Sequence, residues 1–339
     1  MKAKISAVSY FLPPDVIDNI QLSAKYPDAG DPDRIFKATG IRTRKYSQIT
    51  TVEMAKIAVE DLFNRANVRR EDIDCVIFST VTADHFFPAS ANSLIYKIGT
   101  TKAFGVDVGT ACPGFLYALQ IGRMFIQTNV AKKVLVVGSE RLSKIINDED
   151  YKTGILFGDG TGVILLEPVA DGELGINDVL LKTSAEDIDD IYMKTPFNTE
   201  DWSQERFQLA GKRVLRHGIN LTRDIILEYL QKHSLSLNDF DFVLSHQANV
   251  RLVDGLIEQL SVPPEKFLMN IAEVGNTASA SIPILLAQKI DAGIIHAGQR
   301  LLMVSFGSGY SLAVVDTYIW QPDNIFKSQL IIGFFYWLF

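Results

Sequence analysis

The sequence has little cysteine, and this scarcity bears on both its compartment and its stability. Only two cysteines, Cys75 and Cys112, occur in 339 residues. No disulfide framework is therefore indicated, and a reducing compartment is expected. Residues 1–12 alternate like a strand and lack the long apolar core of a signal peptide. We expect a cytoplasmic protein.

An excess of positive charge is also missing. The net charge of −7 argues against a general nucleic-acid binder, which needs a basic face. An anionic partner would have to meet a local basic patch. The 47% apolar and 22% charged residues are typical of a globular protein. A chain of 339 residues exceeds one typical core, so it predicts two domains or one fold built from two halves.

Long apolar runs are absent except at the C-terminal end. Residues 331–339 are almost wholly apolar but too short to span a bilayer, so no stable membrane insertion is expected. The segment 321–339 has an open role. It could pack on the body, touch a membrane or partner, or be a scar of cloning or frameshift.

No linker divides the chain; instead, the sequence repeats itself weakly. Asp74 and Asp241 precede similar apolar runs at an offset of 167 residues, and the same offset relates Val134 to Leu301. Short, unbroken apolar runs favour strands that helices cover on both faces. We therefore predict a five-layered αβαβα fold from two duplicated halves, 1–170 and 171–320. The N-termini of its central helices should converge on one site.

Cys112 has the sequence setting of a nucleophile. It follows a strand-like run and three small residues, and Pro113 with a helical run comes after it. Proline favours a first helical turn, so Cys112 should lie at a helix N-terminus, where the helix dipole stabilises the thiolate. Most single cysteines are inert core residues, and Cys75 in its apolar run fits that interpretation.

Two further polar residues lie in matching places of the second half. His246 directly follows an apolar strand and could relay a proton, or it could simply be a satisfied polar residue at a strand end. Asn276 lies in a run of small residues that corresponds to the Cys112 region, where an amide N–H could hold an enolate oxygen. The alternative is a helix-capping asparagine. The glycine-rich segments 158–162 and 306–310 lack the context of nucleotide-binding loops.

Taken together, these motifs resemble the β-ketoacyl-(acyl carrier protein) synthase III family of the thiolase superfamily, from the N-terminal strand to about Trp320. The residues that carry the resemblance are Thr39–Gly40–Ile41 with Arg44, Phe87–Pro88, Asp107 through Cys112 to Phe115, Phe157–Gly158–Asp159–Gly160, His246–Gln247–Ala248–Asn249 and Gly275–Asn276–Thr277.

The resemblance implies a thiolase-like fold and an acyltransferase that needs no cofactor or metal. Cys112 would take an acyl group from a thioester, and His246 and Asn276 would stabilise the enolate of a decarboxylating malonyl thioester. Backbone N–H groups of Cys112 and Ser308 would form the oxyanion hole. The product is a β-ketoacyl thioester, in fatty acid or related secondary-metabolite biosynthesis.

The resemblance also implies partners. The enzyme would be a homodimer in which Phe87 reaches the partner's acyl pocket, while Phe306 lies beside the cysteine. Acyl-coenzyme A or an acylated carrier protein would be the donor. A basic footprint for acyl carrier protein is expected, although its helical members could equally form an ordinary solvated face. The footprint residues are Arg251, Lys212, Arg213 and Arg216.

Several positions depart from the family pattern. Arg34, Ala38 and Tyr151 stand where relatives hold the adenine of coenzyme A between tryptophan and arginine, and Ser308 replaces a glycine. Pro113 follows the nucleophile where alanine is common. These departures favour the alternative of a specialised paralogue with a non-acetyl donor on a carrier protein, of polyketide or alkyl-resorcinol type. A non-catalytic partner subunit and a cysteine hydrolase are the rivals from other classes.

Overall fold

The computed structural model describes residues 1–147, 149–201 and 205–320. The first half contains β1 (Lys2–Phe11), β2 (Asp15–Asp18), α1 (Asn19–Lys25), α2 (Pro32–Thr39), β3 (Thr43–Tyr46), α3 (Thr51–Ala66), β4 (Cys75–Ser79), α4 (Ser90–Ile98), β5 (Phe104–Val108), α5 (Gly114–Gln127), β6 (Val134–Glu140), α6 (Tyr151–Gly154) and β7 (Gly160–Val169). The second half contains β8 (Ile176–Thr183), β9 (Ile191–Tyr192), β10 (Gln208–Leu209), α7 (Gly211–His233), β11 (Phe242–Ser245), α8 (Val250–Leu260), α9 (Ile271–Val274), α10 (Ser281–Asp291), β12 (Arg300–Gly307) and β13 (Ser311–Tyr318).

The first half builds a five-stranded sheet in the order β1-β7-β6-β4-β5. Strands β6, β4 and β5 are parallel, whereas β7 and β1 are antiparallel to their neighbours. Every residue of β4 and β6 is buried. Their unbroken apolar runs arise because helices cover both faces of the sheet.

The second half repeats this plan with four strands in the order β11-β12-β13-β8. Strand β11 is parallel to β12, while β13 and β8 are antiparallel to their neighbours. These strands match β4, β6, β7 and β1 in order and direction. The position of β5 is taken by a single parallel bridge between Val243 and Phe267. The duplication predicted from the 167-residue offset is therefore confirmed.

Five layers result from stacking the two sheets. Helices α3 and α4 contact the first sheet on its outer face, and α7 packs on β12 and β13 and against α8 on the far side of the second. Helices α5 and α10 lie between the sheets and share one core with Ile77 and Met303. The central helix α10 is buried from Ser281 through Ala287, as its apolar sequence requires. The predicted αβαβα architecture is confirmed.

Glycine allows the central layer to approach the first sheet closely. A Cβ on Gly162 of β7 would lie 2.6 Å from the backbone nitrogen of Ile284 in α10. One on Gly122 of α5 would lie 2.9 Å from Leu166. Both central helices are therefore packed closely against the first sheet.

In the part of the chain that the structure describes, no helix is long and apolar enough to cross a membrane. The chain leaves the first large sheet after Val169 and enters the second at Ile176, and this supports a boundary between the two halves at residues 170/171. That division stays a prediction. The apolar segment 321–339 lies outside the described residues, and its role stays open.

Candidate active site

Cys112 lies on the turn that joins β5 to α5. Ala111 adopts a left-handed conformation with φ of 51°, and the Gly114 N–H donates to its carbonyl at 2.9 Å. Pro113 occupies the cap position, so the helix begins two residues after the cysteine. The turn places the half-buried Cys112 side chain directly before the N-terminus of a central helix.

The thiol of Cys112 differs from the expectation of a stabilised thiolate. Burial, with a smaller contribution from the negative charge of Glu140, raises the pKa of Cys112 to about 12. Desolvation disfavours the thiolate because the thiolate is the charged form of the side chain. In this environment the side chain rests as a neutral thiol, so any nucleophilic attack by its sulfur would require transfer of the proton.

His246 directly follows β11 and is 1% exposed. Its backbone N–H donates to the Val304 carbonyl at 2.8 Å, which fixes the residue at the end of the second sheet. The ring nitrogen Nδ1 has no hydrogen-bond partner among the described residues. Burial lowers the pKa of His246 to about 3, so the imidazole is neutral at physiological pH. A neutral ring can both accept and donate a proton.

Asn276 is 4% exposed and is held by its own backbone and side chain. Its backbone N–H donates to Leu156, and its carbonyl accepts from Gly158, each at 2.9 Å. The side-chain oxygen Oδ1 accepts the Ala278 N–H at 2.9 Å. Because the oxygen is engaged on its own turn, the amide NH₂ is the end that can donate to a ligand.

The structure brings these three residues together around one cavity. Cys112, His246 and Asn276 all line a cavity of about 530 Å³ that opens to the surface. Cys112 comes from the first half, and the other two come from the second. Phe306 lines the same cavity, with its ring 5.9 Å from the His246 ring.

The backbone after β12 approaches Cys112 directly. A Cβ on Gly307 would lie 2.6 Å from Pro113 Cδ and 3.0 Å from the backbone nitrogen of Cys112. Ser308 follows this contact, and its Oγ donates to the Ile191 carbonyl at 2.6 Å. The loop is thus anchored on both sides of Gly307, beside the proposed oxyanion hole. Ser308 itself does not line the cavity, whereas Gly307 does.

Phe87 occupies a different environment from Phe306. It is 87% exposed, beside the exposed Phe86, whose ring lies 5.9 Å from that of Phe197. Phe87 does not line the cavity of its own chain. Its role in a partner's pocket stays a prediction.

The four predicted docking residues lie at the starts of α7 and α8, and all are exposed. Lys212 and Arg251 line the cavity. Arg213 instead forms an ion pair with the buried carboxylate of Asp190. Arg213 is therefore less available to a partner than the sequence suggested. Arg216 lies one turn further along α7.

Asp190 belongs to a cluster of carboxylate and imidazole groups, which are common metal ligands in proteins. Ligand atoms of Asp187, Asp190 and His217 lie within 4.8 Å of one another. The Asp190 carboxylate, however, already pairs with Arg213 and accepts the Tyr310 hydroxyl at 2.9 Å. We interpret the cluster as an anchor between α7 and the loop after β12.

The positions that depart from the family pattern lie near the cavity opening. Ala38 and Tyr151 line the cavity, while Arg34 is exposed and does not. Lys152, which the sequence interpretation did not select, also lines it and is exposed. Three cationic side chains therefore face this opening: Lys152, Lys212 and Arg251.

Sequence reasoning missed much of the cavity wall and one buried acid. Ile191 and Leu209 come from the two-residue strands β9 and β10, and Phe207 precedes the latter. Such short strands carry no periodic signal. Glu140, by contrast, is the single charged residue of β6, and a charged residue in that position could have been selected from the sequence.

Comparisons with known proteins agree with this geometry. The family model "3-Oxoacyl-[acyl-carrier-protein (ACP)] synthase III" matches residues 106–185, and its C-terminal counterpart matches 230–316. The β-ketoacyl-[acyl-carrier-protein] synthase III of Streptococcus sanguinis is 36% identical over 91% of this chain and 96% of that protein. The corresponding protein of Bacillus pumilus is 35% identical over 93% and 98%.

Solved structures show the same likeness. The synthase III of Thermus thermophilus superposes with a TM-score of 0.86 at 34% identity, over 93% of this chain and 98% of that one. The priming β-ketosynthase of the R1128 polyketide pathway superposes with a TM-score of 0.88 at 28% identity, over 94% and 97%.

Two duplicated halves in five layers, with a cysteine before a central helix, define a protein of the thiolase superfamily. Within that class, the chain belongs to the β-ketoacyl-[acyl-carrier-protein] synthase III family.

Proposed function

We propose that this condensing enzyme acylates Cys112 and then performs a decarboxylative Claisen condensation with a malonyl thioester. Its family membership makes it an acyltransferase of the 3-oxoacyl-ACP synthase type. The observation that carries the residue assignment is the shared cavity of Cys112, His246 and Asn276.

In the first half-reaction, the Cys112 sulfur attacks the carbonyl of the acyl thioester. The thiol is protonated because burial raises its pKa to about 12, so the attack needs a proton acceptor. The neutral ring of His246 meets that need. A carbon–sulfur bond forms to Cys112, the thioester bond breaks, and the departing thiolate takes the proton from His246.

In the second half-reaction, the malonyl carboxylate leaves as carbon dioxide, and its electron pair becomes the enolate of the bound thioester. The Asn276 NH₂ and the His246 ring donate hydrogen bonds to the enolate oxygen. The carbanion attacks the acyl-cysteine carbonyl, and the carbon–sulfur bond to Cys112 breaks. The departing Cys112 thiolate then takes a proton from solvent, which restores the resting thiol. Backbone N–H groups of Cys112 and Ser308 stabilise the oxyanion in both half-reactions, since the Gly307 contact brings the two segments together.

The cavity lining supports a long, flexible substrate arm that ends in a phosphate. Most of the wall is apolar, including Leu156, Phe207 and Leu209, which suits an acyl or pantetheine chain. The cations at the opening suit a phosphate and an acidic carrier protein. We therefore assign carrier-protein docking to the face of Lys212, Arg216 and Arg251, with Arg213 mainly engaged by Asp190.

A second candidate function concerns the acyl donor. Ala38 and Tyr151 line the opening, where the adenine-binding pair of relatives would be expected. The likeness to a priming β-ketosynthase of a polyketide pathway also fits a specialised donor. A paralogue loaded from an acylated carrier protein with a non-acetyl group would match these features, with the same triad.

We extend the proposal to a homodimer in which Phe87 enters the partner's acyl pocket. The support is its 87% exposure, next to the exposed Phe86 and Phe197, which form an apolar surface patch. A monomer in sedimentation equilibrium at micromolar concentration would contradict this. Residence in the cytoplasm also stays a proposal, supported by the free thiols of Cys75 and Cys112.

The triad is tested by separating the two half-reactions. The enzyme is incubated with labelled acyl thioesters and malonyl-carrier protein, and the acyl-enzyme and the products are analysed by mass spectrometry. Cys112→Ala should abolish acylation. Asn276→Ala should lower condensation by about 10²- to 10³-fold, the cost of one oxyanion donor, and lower acylation less. His246→Ala should lower both half-reactions, because its ring also accepts the Cys112 proton during acylation.

Cys75→Ala is the matched control, because this thiol is buried in β4 and does not line the cavity. It should acylate and condense like the wild type. Equal loss of acylation and condensation in Asn276→Ala would contradict the division of roles. Release of free acid without carbon dioxide would instead indicate a cysteine hydrolase.

A further inference from the structure

Glu140 is a buried acid for which the proposed mechanism has no use. It is the last residue of β6 and is fully buried. Its oxygens accept only from hydroxyl and amide groups, and no cation pairs with it in the described part of the chain. The donors are Ser279 Oγ at 2.7 Å, Thr82 Oγ1 at 2.7 Å, Thr80 Oγ1 at 3.2 Å and the Val81 N–H at 3.1 Å.

Burying a carboxylate without a cation is costly, so a feature of this kind needs an explanation. The donors come from two different parts of the molecule. Thr80, Val81 and Thr82 belong to the loop after β4 in the first half. Ser279 belongs to the turn that begins α10 in the second half. Glu140 therefore joins the two halves at the point where the site lies.

The Ser279 turn is fitted closely to β6 by a second contact. A Cβ on Gly138 would lie 2.7 Å from the Ser279 carbonyl oxygen, so only glycine at this position lets the turn rest on the strand. The Ser279 hydroxyl also lies 3.3 Å from the Ser79 carbonyl. Any shift of the turn away from β6 would break the bond to Glu140.

The same turn sets the orientation of the Asn276 amide. The Ala278 N–H donates to Asn276 Oδ1, and Ala278 is the residue directly before Ser279. Ala278 has a φ of 44°, which fixes the turn in a conformation that few side chains adopt. A continuous path of contacts thus runs from Glu140 through Ser279 and Ala278 to the Asn276 side chain.

We propose that Glu140 is a positioning residue, which holds the Asn276 amide in place for condensation through its hydrogen bond to Ser279. This inference rests on the proposed function of Asn276. It makes Glu140 part of the condensation step without contact between its carboxylate and the substrate.

Replacement of Glu140 should change the reactivity of Cys112 and the rate of condensation in opposite directions. This pattern distinguishes a positioning role of Glu140 from a general loss of stability. The negative charge of Glu140 contributes to the raised pKa of Cys112, so its removal should lower the pKa of the thiol. Glutamine offers one acceptor oxygen in place of two, and Ser279 must compete for it with the donors of the loop after β4, so the bond to Ser279 should weaken and Asn276 should be misplaced. Cys112 should therefore become more reactive while condensation becomes slower.

The experiment compares Glu140→Gln and Ser279→Ala with Ser139→Ala. The Ser139 hydroxyl is as buried as that of Ser279, and Ser139 lies next to Glu140 in β6. It forms hydrogen bonds with Thr51 and Thr161, away from the cavity. Condensation with malonyl-carrier protein, acylation of Cys112 and alkylation by iodoacetamide are measured for each. The work is done at about pH 8, above the pKa of about 7 to which burial raises Glu140.

Ser279→Ala should lower the condensation rate about tenfold, as expected for one lost hydrogen bond, and leave acylation within about twofold. Glu140→Gln should lower condensation by at least as much and increase the rate of iodoacetamide alkylation. Ser139→Ala should resemble the wild type in all three assays. Thermal unfolding confirms that each variant is folded; if Glu140→Gln is not, Ser279→Ala decides.

A parallel loss of acylation, alkylation and condensation in Ser279→Ala would overturn the inference, because general destabilisation lowers all three. Condensation unaffected by Ser279→Ala would overturn it as well. A wild-type enzyme that neither forms an acyl-enzyme nor releases carbon dioxide would refute the proposed function itself. The two failures are thus distinguishable.

Discussion

Replacement of Gly307 by alanine tests the close contact between the loop after β12 and the nucleophile. The added Cβ would lie 2.6 Å from Pro113 Cδ, 3.0 Å from the Cys112 nitrogen and 3.1 Å from Cys112 Cβ. Carbon atoms prefer separations of about 3.5–4.0 Å, so the segments must move apart by roughly 1 Å. The φ of −171° at Gly307 is extended and suits any residue, so the effect is purely steric.

A separation of this size should affect both catalysis and stability. The oxyanion hole needs backbone N–H groups from both segments, and a 1 Å misplacement can cost about 10²-fold in rate. Overpacking should lower the free energy of unfolding by about 1–3 kcal/mol. We expect Gly307→Ala to lower both acylation and condensation about 10²-fold, since the hole serves both half-reactions.

Gly109→Ala is the matched control for this prediction. Gly109 lies on the same turn as Cys112, three residues before it, and a Cβ there meets no atom within 4 Å. The assay measures single-turnover acylation by mass spectrometry and condensation at saturating substrate, with urea unfolding of both variants. A folded Gly307→Ala enzyme with both rates within about threefold of wild type would refute the steric reasoning.

Two further predictions concern pH and charge. Burial lowers the pKa of His246 to about 3, whereas a histidine in the unfolded chain has a pKa of about 6.5. On acidification the unfolded state therefore binds its proton first, and the free energy of unfolding decreases as the pH falls below about 6.5. In urea titrations between about pH 6.5 and 5, the wild type should lose about 2 kcal/mol of unfolding free energy more than His246→Gln loses. A difference between the two proteins that stays constant over this pH range would contradict the prediction. Charge reversal by Lys212→Glu or Arg251→Glu should raise KM for the carrier-bound substrate about three- to tenfold at low salt and leave kcat unchanged. The exposed Lys102→Glu, away from the cavity, should have no effect; an equal rise in all three variants would argue against a docking face.

Local sequence patterns determined the elements that carry the triad. Apolar runs predicted the strands before Cys112 and His246, and the internal offset predicted two equivalent halves. These predictions succeeded because a strand buried on both faces must be apolar along its length, and because each half repeats the same order of elements. The small residues around Asn276 likewise marked a close approach of helices, which the buried α10 shows.

Several other features are decided only by the tertiary structure. The thiol pKa of Cys112 depends on how far the packed halves remove water from the side chain, and burial raises this pKa, whereas the sequence had indicated a stabilised thiolate. Arg213 reads as a docking residue in the sequence, yet the fold engages it with Asp190.

Contacts between distant segments are likewise decided only by the tertiary structure. The sequence by itself specified which residues could do chemistry, because nucleophile, imidazole and amide each sit in a recognisable local context. Their shared cavity, its wall from β9 and β10, and the bond between Glu140 and Ser279 all depend on segments that are distant in the chain; Glu140 and Ser279 alone are 139 residues apart. Such contacts arise from the packing of two sheets on two central helices, which no local pattern encodes.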